Sequence, residues 1–142
     1  MQRKDWIGLF GRAKPEELQA LAGHLGPMPA PDWLRPPETG SVMVRGRAGG
    51  TGAPFNLGEV TATRCALRDG EAEGHAIVQG RDQDHAARAA WLDLLLQGPR
   101  AAEVRRVVVE PLAAAEAARR HDRARKAEAT RVDFETMVRG ED

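Results

Sequence analysis

Apolar positions near the start of the chain recur at helical spacing. Trp6, Ile7 and Phe10 fall on one side of a segment from Arg3 to Gly11. Pro15 opens a second helix, with Glu16 and Glu17 where the helix dipole favours acids and Leu18, Leu21, Ala22 and Leu25 as its stripe, and Gly26-Pro27 ends it. Five prolines between Pro27 and Pro37 then predict an extended, stiff linker without a helix or a central strand.

The period changes to two from Thr39 to Ala48. Val42 and Val44 point one way; Met43, Arg45 and Arg47 point the other. Val60 to Arg68 predicts a second strand, Asp69-Gly70 a turn, and Gly74 to Gln79 a third strand, which together suggest an antiparallel meander. Asp82 or Asp84 is placed to cap a helix whose apolar side includes Ala87, Trp91, Leu94 and Leu95, and Gly98-Pro99 stops it. Val104 to Glu110, with Val107, Val108 and Val109 inside, reads as a fourth strand before Pro111 opens the last helix. The expected fold is therefore α+β, an antiparallel sheet of three to four strands covered by helices. Its parts are N-terminal helices and linker (1–37), an α+β core (38–110) and a C-terminal helix with its tail (111–142), in one structural domain.

The last helix is unusual. Between Ala113 and Arg131 its apolar positions are almost all alanine, interleaved with arginines and acids. Alanine favours helix but buries little area, so this helix is either a solvated arm or an element covered by another chain. Beyond it, Val132, Phe134, Met137 and Val138 place large apolar groups where a monomer usually frays, which favours docking.

Charge narrows the picture. The chain has 142 residues, enough for one small domain, and its 21 basic and 21 acidic residues cancel, so no global field draws it onto nucleic acid or anionic lipid. One cysteine, Cys65, excludes an internal disulfide and any CxxC metal site. The start is polar and its apolar stretch too short for a secretory signal, and no stretch approaches membrane-spanning length. A soluble, cytoplasmic protein is expected.

Four features carry candidate chemistry. Gly49-Gly50-Thr51-Gly52 offers backbone amides and the Thr51 hydroxyl for an oxyanion, with Arg45, Arg47 and Arg64 as candidate counter-charges; its other reading is a hairpin connection. It lacks the phosphate-loop pattern. Gln79-Gly80-Arg81-Asp82 joins the third strand to the core helix, where Arg81 projects toward an anion or a partner's carboxylate, or stays solvated beside a capping Asp82. His85 is a candidate for proton transfer or a capping histidine. His24, His75, His85 and His121 are scattered with no pair at i,i+3 or i,i+4, so no metal site is expected. Cys65 reads as core filling. No nucleophile-base constellation marks a catalytic residue.

Together, Glu38-Thr39-Gly40, Gly49-Gly50-Thr51-Gly52, Thr61 to Arg64, Val78-Gln79-Gly80-Arg81-Asp82, His85-Ala86 and Arg131 to Gly140 resemble the G-subunit (PhnG) family of the bacterial carbon-phosphorus lyase system. The chain departs from the family pattern at Glu135, where an aromatic beside Phe134 is expected. The resemblance implies a subunit of α-D-ribose 1-methylphosphonate 5-triphosphate synthase, in which a phosphonate displaces adenine from MgATP at the anomeric carbon. It implies work with the I, H and L subunits and a core complex with H, I and J, and places the nucleosidase-type chemistry on I. MgATP is then a substrate of the complex, with no cofactor bound by this chain alone. Arg47, Gly49, Gly50, Thr51, Arg81 and His85 become candidates for lining or supporting the phosphonate and triphosphate site. Arg131, Val132, Phe134, Met137, Val138 and Arg139 become candidates for docking a partner. Two readings follow: a non-autonomous synthase subunit that helps shape a neighbour's site, or a purely structural assembly subunit without substrate contact.

Overall fold

A computed structural model gives the fold; it describes residues 1–47 and 52–140, with side chains described as far as Arg131. Two short helices, α1 (Arg3–Arg12) and α2 (Pro15–Ala22), precede an antiparallel sheet of β1 (Trp33–Arg47), β2 (Pro54–Asp69) and β3 (Ala72–Gln79) in the order β1-β2-β3. Helix α3 (Gln83–Leu96) covers one face, and α4 (Ala101–Val104), a π-helical turn (Arg105–Val109) and α5 (Glu110–Gly140) complete the chain. The α+β meander expected from the sequence is thus present, with three strands.

Two expectations are corrected. Val104 to Glu110 is helical, not a fourth strand. Val104, Val108 and Leu112 recur at i, i+4 and i+8, and all three are buried, so the run of β-branched residues hid a helical stripe. The π-helical turn ends two residues before Pro111, whose ring would clash with the carbonyl four residues earlier in an unbroken α-helix; the wider turn accommodates it. The first strand also begins at Trp33, inside the proline-rich stretch. Pro36 and Pro37 are tolerated because β1 is an edge strand and its register slips between Arg35 and Glu38.

The core lies between the sheet and α3. Thr63, Cys65 and Leu67 of β2 and Gly74, Ala76 and Val78 of β3 face inward, in the period-two pattern of a half-buried sheet. Helix α3 is buried almost all round: Ala86, Ala89, Ala90, Leu92 and Leu96 lie inside, whereas Ala87, Leu94 and Leu95 of the expected stripe are only partly covered. It packs on β3 and β2 and is backed by α1, α2 and α4. Full burial of each large apolar side chain in this layer contributes roughly 1.5–3 kcal/mol.

Two close approaches depend on missing side chains. A Cβ on Gly74 would collide with the Ala90 carbonyl oxygen, and one on Gly11 with that of Ile77. These glycines set the distances of α3 and α1 from β3. Gly70, at φ 61°, makes the β2–β3 turn, and Gly80, at φ 94°, turns β3 into α3.

Two elements leave this body. Every described side chain of α5 from Arg120 to Arg131 is exposed. Past the end of β3, β1 and β2 continue as a two-stranded ribbon toward residues 48–51.

Candidate functional site

Helix α3 starts at a polar junction held by two strand-to-turn hydrogen bonds and one between strands. The Gly80 N–H donates to the Thr61 carbonyl at 2.9 Å, and the Thr63 hydroxyl donates to the Gly80 carbonyl at 2.8 Å. With its own proton committed, Thr63 accepts from Thr39 Oγ1 at 2.9 Å, so all three strand positions that meet the turn are fixed. Asp82 is the N-cap: its carboxylate accepts from the His85 N–H at 2.9 Å. An acid already occupies the positive end of the helix, and Asp84 adds a second in the first turn. Arg81, exposed beside them, makes no ion pair among the described residues.

His85 is only 1% exposed and its ring faces the interior. Nε2 lies 2.8 Å from the Phe10 carbonyl oxygen and donates to it, which leaves Nδ1 buried without a partner among the described residues. In this chain His85 therefore ties α3 to α1 and presents no nitrogen to solvent. It belongs to the support of the junction, not its surface.

The glycine run follows β1 in sequence. Gly49, Gly50 and Thr51 lie outside the described residues. At their flank Arg47 is paired in register with Pro54, and its guanidinium donates to the Gly52 carbonyl at 3.4 Å. Seven residues of β2 separate Pro54 from Thr61, about 23 Å of strand. Arg47 and Arg81 are thus at opposite ends of the ribbon, too far apart to hold one phosphonate within this chain. Arg64, expected near the loop, is corrected: it lies ten residues along β2, about 33 Å away, beside Glu38 and Ile77. Alternation puts it on the face away from Arg45 and Arg47, because the β-bulge is on β2 and leaves the alternation of β1 unbroken.

Arg131 is exposed on α5, whose backbone remains helical to Gly140. Residues 132–140 therefore continue the arm as helix, and their side chains lie outside the described set. Burial raises the Cys65 thiol to about 11, so it is a core side chain with no thiolate at neutral pH. Among the described residues no group of three or more His, Cys, Asp or Glu is placed to hold a metal ion, and no helix is long and apolar enough to cross a membrane.

One charged residue escaped the sequence reading. Asp93, fully buried in α3, accepts from Trp6 Nε1 at 2.8 Å, from the His75 N–H at 2.8 Å and from Arg3 at 2.7 Å. Arg3 and Gln97 both donate to the Glu73 carbonyl beside it. An acid inside Trp91-Leu92-Asp93-Leu94-Leu95-Leu96 was the available signal, since a carboxylate in such a run is buried and must be paired. It binds α1, β3 and α3 together and closes the outer edge of β3.

The family profile described as phosphonate metabolism protein PhnG matches residues 1–140. The chain is also 46% identical, over 147 aligned positions, to the α-D-ribose 1-methylphosphonate 5-triphosphate synthase subunit PhnG of Rhizobium meliloti (strain 1021), with 99% of this chain and 91% of that protein covered. Those matches run through the ribbon, the α3 junction and the arm alike, and the chain belongs to the PhnG family of phosphonate metabolism proteins.

Proposed function

We propose that this chain is a non-autonomous subunit of α-D-ribose 1-methylphosphonate 5-triphosphate synthase, inactive alone, that supports displacement of adenine from MgATP by a phosphonate. The observation that carries the reading is near full-length identity to a protein named as a subunit of that synthase. The partners are carbon-phosphorus lyase subunits I, H and J, with L for synthase activity, and the assembly works in the cytoplasm. The reacting groups belong to the I-type partner, and no catalytic residue is assigned to this chain.

Its contribution is pre-organisation of a neighbour's site. Arg81 at the α3 junction, and Arg47 at the end of β1 with Gly49, Gly50 and Thr51 after it in sequence, line separate parts of the shared phosphonate and triphosphate site, with His85 holding the junction from behind. The described residues gather no cluster of carboxylates for Mg2+, which in this reading is held with the triphosphate by a partner. Helix α5 and the tail, with Arg131, Val132, Phe134, Met137, Val138 and Arg139, embrace the I-type subunit.

The separation of Arg47 from Arg81 favours one second reading, a structural assembly subunit of the carbon-phosphorus lyase core complex whose arginines meet only other chains. Co-expression with the I-type subunit, with H and L supplied, tests both. Product formation from MgATP and methylphosphonate that requires this chain establishes the synthase reading. An Arg81→Ala complex with unchanged turnover and substrate affinity removes Arg81 from the site, and unchanged turnover without the glycine loop favours the structural reading.

A further inference from the structure

We infer that the sheet face turned away from α3, continued along the β1–β2 ribbon, is the seat of another synthase subunit that presents an apolar surface rimmed by carboxylates. This rests on the subunit reading above.

The register places the apolar residues on one side. Val42 and Val60 are direct cross-strand partners, Gly46 opposes Phe55, and Leu57 packs into the space left by the missing Gly46 side chain. Val42 and Ile77 border one shallow hollow, and Ile77 and Leu34 border the next, so the row is continuous from tip to base. These six side chains are between 39% and 62% exposed. Scattered exposed apolar residues are ordinary; a row along one face marks an interaction surface.

The backbone makes the same demand. From Pro54 to Val60 the edge of β2 that carries β3 elsewhere has no partner strand among the described residues, and α3 does not reach it. A two-stranded ribbon is marginally stable in water by itself.

Charge selects the occupant. On this face Arg35 and Arg64 border the row beside Leu34 and Ile77, against Glu38, and neither arginine makes an ion pair among the described residues; Arg45, Arg47 and Glu59 lie on the ribbon's other face. A second copy of this chain would set Arg35 and Arg64 against themselves, because a two-fold interface uses one patch twice. A different subunit with acidic residues around an apolar centre satisfies both features.

The test replaces Val42 by Asp and Val60 by Lys together. That substitution removes apolar surface while leaving an opposite-charge cross-strand pair that keeps the ribbon. Circular dichroism and elution of the isolated variant should match wild type. Wild type should co-purify with the I-, H- and L-type subunits with amides 55–60 protected from hydrogen exchange, and the variant should bind about a hundredfold more weakly. Equal binding by the variant, with no protection of 55–60 in the wild-type complex, overturns the surface assignment. A wild-type dimer of this chain alone that the variant abolishes overturns the occupant. Failure of wild type itself to join the other subunits overturns the subunit reading, and this inference with it.

Discussion

Trp6 and Asp93 stand 87 positions apart and are joined by a 2.8 Å hydrogen bond from the indole Nε1 to a carboxylate with no exposed surface. Arg105 stacks over the same indole, 5.4 Å from its centroid, and Arg3 closes the other side of the carboxylate. The first helix, the third strand and the central helix are therefore fixed to one another by polar contacts inside an otherwise apolar layer. Such a network is specific because Asp93 and the Trp6 indole, left alone, would be buried, unpaired polar groups.

Asp93→Ala should destabilise the isolated chain by about 3 kcal/mol, since it strips the acceptor from the Trp6 indole and the His75 amide at once. Asp93→Asn keeps one acceptor oxygen and should cost less. Urea unfolding followed by tryptophan fluorescence checks both, and equal, small losses would show that the network contributes little.

The two glycines at close approach make a sharper test. Gly74→Ala and Gly11→Ala each drive a methyl group into a backbone carbonyl, of Ala90 and Ile77, which no side-chain rotation relieves. Each should cost about 1–3 kcal/mol, as overpacking does. Gly23→Ala, where a Cβ meets nothing, should leave the melting temperature within a degree or two of wild type.

The meander, the turn at Gly70 and the Asp82 cap were legible in the sequence because each rests on local chemistry: alternation, a glycine at positive φ, and a carboxylate one residue before a helix. The helix at Val104–Val109 was not, because three consecutive valines carry a strand propensity that only burial against α2 and α3 overrides. The strand through Pro36 and Pro37 was hidden for a related reason: whether proline is tolerated depends on which strand lies at the edge. Of the candidate site, the positions of Arg81 and Asp82 at a strand–helix junction were readable. The burial of His85 against Phe10, and the strand length between Arg81 and the glycine loop, are tertiary facts with no local signature.

Acid should loosen the start of α5. Arg12 donates to Glu116 through two nitrogens, at 3.0 and 3.1 Å, and this contact, with lesser help from Arg120 and Arg119, holds the Glu116 carboxyl below its ordinary value. A depressed carboxylate contributes stability that is present above its unfolded value, about 4.3, and is lost as pH falls through the lower folded one. Both side chains are partly exposed, so the contribution is about 1 kcal/mol or less. Glu116→Gln should lower stability at pH 7 by that amount and match wild type near pH 2, as urea titrations at the two pH values would report.

Cys65 supplies a probe of core opening. Its thiol is raised to about 11 by burial, so at pH 8 an aromatic disulfide reagent should label the native chain far more slowly than a free thiol, whose value is about 8.5. Labelling that accelerates in urea along with tryptophan exposure would place Cys65 in the cooperative unit with Trp6 and Trp91; rapid labelling of the native chain would show that the sheet opens locally at β2.

The arm tests the division of labour between folding and assembly. Side chains from Arg120 to Arg131 are all exposed, so residues beyond Arg131 extend a helix that already lies outside the core. Each residue adds about 1.5 Å, which carries residue 140 some 30 Å past Arg120. Truncation after Arg131 removes no residue described as buried, and the shortened chain should keep its circular dichroism per residue and its melting temperature. Under the proposed function the same truncation should abolish co-purification with the I-type subunit. If the truncated chain still assembles, the docking role passes from the tail to the ribbon face, where substitution at Val42 and Val60 becomes the deciding measurement.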